Sequence, residues 1–186
     1  MPRPHRSDFV GAWHHVMNRG AGRQAIFIDD RDRERFLDEL ASSTIEARIE
    51  VHAYCLMGNH YHLLLRSLEG RLSAAMQRLS SRYTHYFNLG TSRDGALFRG
   101  RFNSVLIERD AHLMQTLRYI HHNPIEAGLA SRAEGWLWSS AAAFLDPVQC
   151  AHWLQTDFLL SMFGAAPGAS YRAFMSAGLD GKTRDF

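Results

Sequence analysis

The stretch CLMGNHYHLLLRS, Cys55 to Ser67, decides how the rest of the chain is read. With the residues just before it, it makes two β-rich runs, VHAYCLM and HYHLLLR, joined by Gly58-Asn59, a dipeptide suited to a tight two-residue hairpin. Side chains alternate along a strand. His60 and His62 therefore project to one side with Cα atoms about 7 Å apart, and Tyr61 points to the other. Two imidazoles so placed either hydrogen-bond within a core or converge on one ion, and the strand alone does not choose.

Working outward, AWHHVMNR (Ala12 to Arg19) reads as an earlier strand, and Gly20 and Gly22 open the loop after it. A helix follows, capped by Asp29 or Asp30, with Phe36, Leu37, Leu40, Thr44 and Ala47 at helical spacing. Beyond the hairpin, Leu72, Met76, Leu79, Tyr83 and Phe87 give a second helix its buried stripe. SVLI (Ser104 to Ile107) reads as a fourth strand, and Asp110 as the cap of a third helix from Ala111 to Asn123. The order strand, helix, strand, strand, helix, strand is that of a ferredoxin-like α+β fold, an antiparallel sheet with two helices on one face. The third helix is then the natural cover for the other face. Residues 1–129 make up this domain. In 130–186, GWLWSSAAAFL and DFLLSMFG are too apolar to trail as disorder and predict a helical extension packed on the domain.

A chain of 186 residues suits one such domain with an appendage. MPRPHRSDFVGAW does not read as a secretory leader, and no apolar run approaches the roughly 20 residues that span a bilayer, so a cytoplasmic protein without membrane contact is expected. Two cysteines, Cys55 and Cys150, make no disulfide framework. The net charge of +2 hides a segregation. Asp29 to Glu50 holds eight acidic and four basic residues, whereas Arg66 to Arg109 holds eight arginines against three acids. Arginines interleaved with Tyr83, Tyr86, Phe87, Phe98 and Phe102 suit phosphate neutralisation and base stacking, although a charged helix face gives the same count. Arg78, Arg82, Arg99 and Arg101 are the expected phosphate contacts.

The third helix bears on the histidine question. Leu113, Leu117 and Ile120 form its apolar stripe, while Tyr119 and Asn123 sit four apart on another face, shared with His112. Pro124 disfavours helical geometry at Asn123 and sets the expected helix end there. His14, His15, His52, His121 and His122 read as packing or surface residues, with DNA contact as a second reading for His15.

These residues together resemble a known family. WHHVMNRG, FIDDRDRERFL, AYCLMGNHYHLLLR, LSSRYTHYFN, LFRGRFNS and LRYIHHNPIEAGL, from Trp13 to Leu129, are similar in content and order to the HUH single-tyrosine transposases and their REP-associated relatives. The resemblance implies that His60 and His62 are a metal-binding pair, Asn123 the third ligand and Tyr119 the nucleophile. It also implies a divalent cofactor, magnesium or manganese, and single-stranded hairpin DNA as partner. A structural zinc would need a further protein ligand. A short strand-to-helix link at Glu108-Arg109 favours a monomer over a helix-swapped dimer. The alternative function is a hairpin-binding protein or repressor that no longer cuts.

Overall fold

The computed structural model describes residues 7–177; the parts of the two expected units, and of the N-terminal stretch, that fall on 1–6 and 178–186 lie outside it. Four strands, β1 (Ala12–Arg19), β2 (Ile49–Leu56), β3 (His60–Ser67) and β4 (Asn103–Ile107), form an antiparallel sheet in the order β2-β3-β1-β4. The hairpin closes as its sequence requires, with the Met57 amide donating to the His60 carbonyl around Gly58-Asn59. Helices α1 (Asp30–Glu46) and α2 (Leu72–Thr91) cover one face. Asp29 caps α1 in a reciprocal capping box with Asp32.

Alternation along the strands sorts the core into two layers. Val16, Tyr61, Leu63 and Leu65 pack against Phe36 and Leu40 of α1 and the stripe of α2. Ala53, Cys55, Leu64 and Ile107 face the other way, onto Leu113, Leu117 and Ile120 of α3 (Asp110–Glu126). The fold is the expected α+β arrangement with a third helix across the second face.

Two details of α3 differ from expectation. Arg109 is the N-cap, without a side-chain hydrogen bond, and Asp110 is the first helical residue. There its carboxylate still favours the positive end of the helix dipole. At the other end the helix runs through Pro124 to Glu126. Proline removes one amide but leaves the remaining bonds available; the Ala127 amide donates to the Asn123 carbonyl and that of Leu129 to the Pro124 carbonyl, and Gly128 ends the turn at φ +70°. Asn123 is thus held in a helical turn.

Residues 130–177 form the expected helical extension, in short pieces rather than long helices. Short 3-10 turns at Ala133–Gly135, Ser140–Phe144 and Pro147–Gln149 precede α4 (Asp157–Ser161) and α5 (Pro167–Ser176). Their backbone closes the outer edge of β2. The Leu56 amide donates to the Trp138 carbonyl at 2.8 Å, the Gln155 amide donates to the Val51 carbonyl at 2.8 Å, and Cys55 bridges to Ser139. An edge strand left bare would offer these groups to another chain.

Candidate active site

Odd-numbered residues of β1 and even-numbered residues of β3 share the α3 side of the sheet. Register sets Met17 beside His62 and His15 beside Leu64, so His15 and His62 are diagonal neighbours. A cleft of about 600 Å³ opens at this end, lined by His60, His62, Tyr119 and Asn123, and by Arg19, Arg23, Arg99 and Arg101.

The His60 and His62 rings are 5.2 Å apart between centroids. Asn59, in the hairpin turn, orients His60. Its amide nitrogen donates to the Arg23 carbonyl at 3.2 Å, which leaves its oxygen to accept from His60 Nδ1 at 2.7 Å. The neutral ring therefore carries its lone pair on Nε2. His62 Nδ1 lies 3.0 Å from His15 Nε2. Burial, with the neighbouring histidines adding to it, holds His62 well below the ordinary imidazole range. His15 is lowered to about 4, by burial first and by His112 second.

Tyr119 descends from α3 onto this pair, 7% exposed, its ring edge-on to His62 at 5.2 Å and to His15 at 5.6 Å. Asn123 is one turn further along. Its amide nitrogen donates to the Tyr119 carbonyl at 2.9 Å, so the amide oxygen is the end that remains to act as a donor atom.

Arg99 and Arg101 reach the cleft because their loop is pinned on both sides. Phe98 and Phe102 are buried, the Arg99 amide donates to the Arg19 carbonyl at 2.9 Å, and Asn18 donates to the Gly100 carbonyl at 3.1 Å. The exposed Arg-Gly-Arg tip is thereby held over the end of β1. Arg78 and Arg82 are elsewhere, on the far side of the sheet. Arg78 pairs with Glu46, and Arg82 with Glu39 and Glu46, so that α2 is stitched to the acidic α1. Tyr83, Phe87, Phe98 and Phe102 are core residues, at most 7% exposed, and unavailable for base stacking.

His14, His52, His121 and His122 serve packing or fixed hydrogen bonds, as their sequence reading expected. His121 is fully buried, lowered to about 3 by burial, and hydrogen-bonded to Tyr171 and Ser140. His15 departs from that reading, since it stands in the site, and Arg19 and Arg23 were not singled out at all. Alternation in AWHHVMNR, together with the ferredoxin-like adjacency of the first and third strands, was the available signal for His15 and Arg19.

Among the described residues no cluster of three or more His, Cys, Asp or Glu side chains is arranged for a metal ion. The donor set at the cleft is two imidazoles and an amide oxygen, which fits a divalent cation that completes its shell with phosphate oxygens and water. Cys55 lies beside His62 in the sheet, but its thiol contacts the Met57 sulfur at 3.6 Å and burial pushes it far above the usual thiol range. A protonated thiol is a poor zinc ligand.

The fold has known counterparts. A structure of a REP-associated tyrosine transposase bound to a REP hairpin superposes with a TM-score of 0.67 at 16% identity, over 84% of this chain and 93% of that one. A putative transposase from Deinococcus radiodurans R1 (TM-score 0.45, 16% identity, 65% and 97%) and the tRNA(His) guanylyltransferase of Saccharomyces cerevisiae (0.41, 10%, 89% and 82%) are more distant in shape. No curated protein matches by sequence. The family model described as "Transposase IS200 like" matches residues 9–123, more than half of the chain and the whole span from β1 to Asn123, and the protein belongs to that family.

Proposed function

We propose that this transposase-family protein is a metal-dependent single-stranded DNA endonuclease and strand transferase that works through a covalent 5′-phosphotyrosine at Tyr119. The observation that carries the reading is the convergence of Tyr119 with His60, His62 and Asn123 in one arginine-lined cleft. His60, His62 and Asn123 would hold magnesium or manganese. When bound, the ion supplies Lewis-acid polarisation of the scissile phosphate and favours loss of the phenol proton.

A phenol of pKa about 10 is scarcely ionised at neutral pH, so Tyr119 gives up its proton as it attacks. Its oxygen forms a bond to phosphorus, the bond to the 3′-oxygen breaks, and the DNA leaves with a 3′-hydroxyl and a 5′ end joined to the protein. The new phosphodiester conserves the energy of the old one. A 3′-hydroxyl from another strand can therefore reverse the step and join DNA without ATP. Arg19, Arg23, Arg99 and Arg101 neutralise the approaching backbone. The match in fold to a hairpin-bound transposase supports a single-stranded hairpin of the REP type as substrate, and the REP-associated branch as the nearer relation.

We place residues 1–129 as the catalytic unit and residues after it as its support. The chain acts as a monomer and in cis: Tyr119 lies against its own chain's His62, and the β2 edge is already paired. A labelled hairpin tests the whole reading. Incubated with Mn²⁺, it becomes linked to protein in a form stable to denaturant; Tyr119→Phe abolishes the adduct but not binding, and His60→Ala or His62→Ala abolishes cutting. Adduct formation by Tyr119→Phe would overturn the assignment. Binding without adduct in the wild-type protein would favour the non-cutting repressor.

A further inference from the structure

His15 and His62 share a buried contact that lies outside the proposed chemistry. It joins two strands across 47 residues of sequence, between two rings each about 6% exposed, at 3.0 Å from Nε2 to Nδ1 and 5.2 Å between centroids. A neutral imidazole has one N–H and one lone pair, so in this contact one ring donates and the other accepts. The two choices have opposite consequences. If His62 Nδ1 accepted, the proton of His62 would sit on Nε2 and no lone pair would be left for an ion. If His62 Nδ1–H donates, Nε2 carries the lone pair, as Asn59 already dictates for His60.

We propose that His15 is a positioning residue for the metal site: its Nε2 accepts from His62 Nδ1–H, fixing the tautomer and ring plane in which His62 can bind the ion. This rests on the reading of His60 and His62 as a metal pair. Packing fixes the position of the His15 ring beside His62. The ring is flanked by the edge of Tyr119 at 5.6 Å and held by β1, between β3 and β4, with Leu64 and Val105 as its paired positions. An imidazole is an uncharged acceptor, unlike the carboxylate often found behind a metal-bound histidine. It orients His62 without adding negative charge, which suits an ion that must be shared with phosphate and water.

Two measurements test this. In the metal-free wild-type protein with ¹⁵N-labelled histidine, long-range proton–nitrogen correlation should show His62 protonated at Nδ1 and bare at Nε2; the reverse tautomer would overturn the proposal without any variant. Direct Mn²⁺ binding, read by electron paramagnetic resonance without DNA, should weaken roughly 10- to 100-fold in His15→Phe. His15→Gln, whose amide oxygen can accept in place of Nε2, should recover most of that loss. The Mn²⁺ concentration for half-maximal cutting should shift in parallel, with hairpin affinity in EDTA unchanged. Wild-type affinity in a folded His15→Phe protein, alongside loss in His60→Ala, would overturn the role of His15 alone. A wild-type protein with no Mn²⁺ affinity would overturn this role and the metal reading together.

Discussion

Replacing Ser140 by alanine should loosen the hold of the C-terminal segment on α3, and the structure sets the size of the effect. Ser140 is 2% exposed and its hydroxyl is a junction. It accepts from the Tyr54 amide at 2.9 Å, donates to the Tyr54 carbonyl at 3.3 Å and meets His121 Nε2 at 2.8 Å. With its proton committed to Tyr54, the oxygen accepts from His121 Nε2–H, and His121 Nδ1 accepts from the Tyr171 hydroxyl at 2.7 Å. Removing the oxygen leaves the Tyr54 amide and the His121 ring N–H without this acceptor in a buried site. At about 1–3 kcal/mol for each orphaned buried group, and allowing partial relaxation, the loss should be about 2–4 kcal/mol. For a chain of this size that corresponds to a fall in Tm of roughly 4–16 °C. Urea unfolding followed by circular dichroism at pH 8 measures it. Tyr171→Phe should cost about 1–2 kcal/mol, and the double variant less than the sum, since both partners act through His121. A Ser140→Ala protein within about 0.5 kcal/mol of wild type would refute the network as a clamp.

Arg99→Ala and Arg101→Ala should each lower the log-log salt slope of single-strand binding by roughly 0.7, whereas Arg78→Ala and Arg82→Ala, which remove partners of acidic residues, should leave it unchanged; the reverse pattern would place the DNA on the helical face. Acid should destabilise the fold below about pH 6.5. His14 and His52 are held below their ordinary value of 6.5 mainly by burial, against the pull of Asp8 and Glu50, so the unfolded chain binds more protons there and stability, present in full above 6.5, falls as pH drops. Urea midpoints at pH 8 and pH 5 read the difference, and equal midpoints would contradict it. Mixing His62→Ala and Tyr119→Phe chains under exchange conditions should restore no cutting; recovered cutting would mean that one chain's tyrosine serves another's histidines.

Local pattern alone determined most of the architecture. The Gly58-Asn59 turn, the period-two runs around it and the helical stripes of α1 and α2 are short-range signals, each satisfied within a few residues, and they lead directly to a ferredoxin-like order and to two histidines on one side of β3. Tyr119 and Asn123 were legible as a pair because helical spacing fixes their relation. Tertiary structure decided what depends on partners far away in the chain. Arginines 78 and 82 looked the same in sequence as 99 and 101. Acidic residues of α1 consume the first two, and the pinned Arg-Gly-Arg loop delivers the second two to the cleft. Tyr83, Phe87, Phe98 and Phe102 looked like stacking surfaces until their burial made them core, whereas Tyr86 is half-buried. Pro124 carried a real local bias, outweighed by the bonds that the following turn still makes. Alternation in AWHHVMNR and the adjacency of the first and third strands could place His15 on the side of the sheet that holds His62, but the contact between the two rings exists because the sheet sets β1 against β3 in one register. The cover over β2 comes from backbone groups of an irregular segment, and hydrogen bonds made by main chain leave no mark on side-chain pattern.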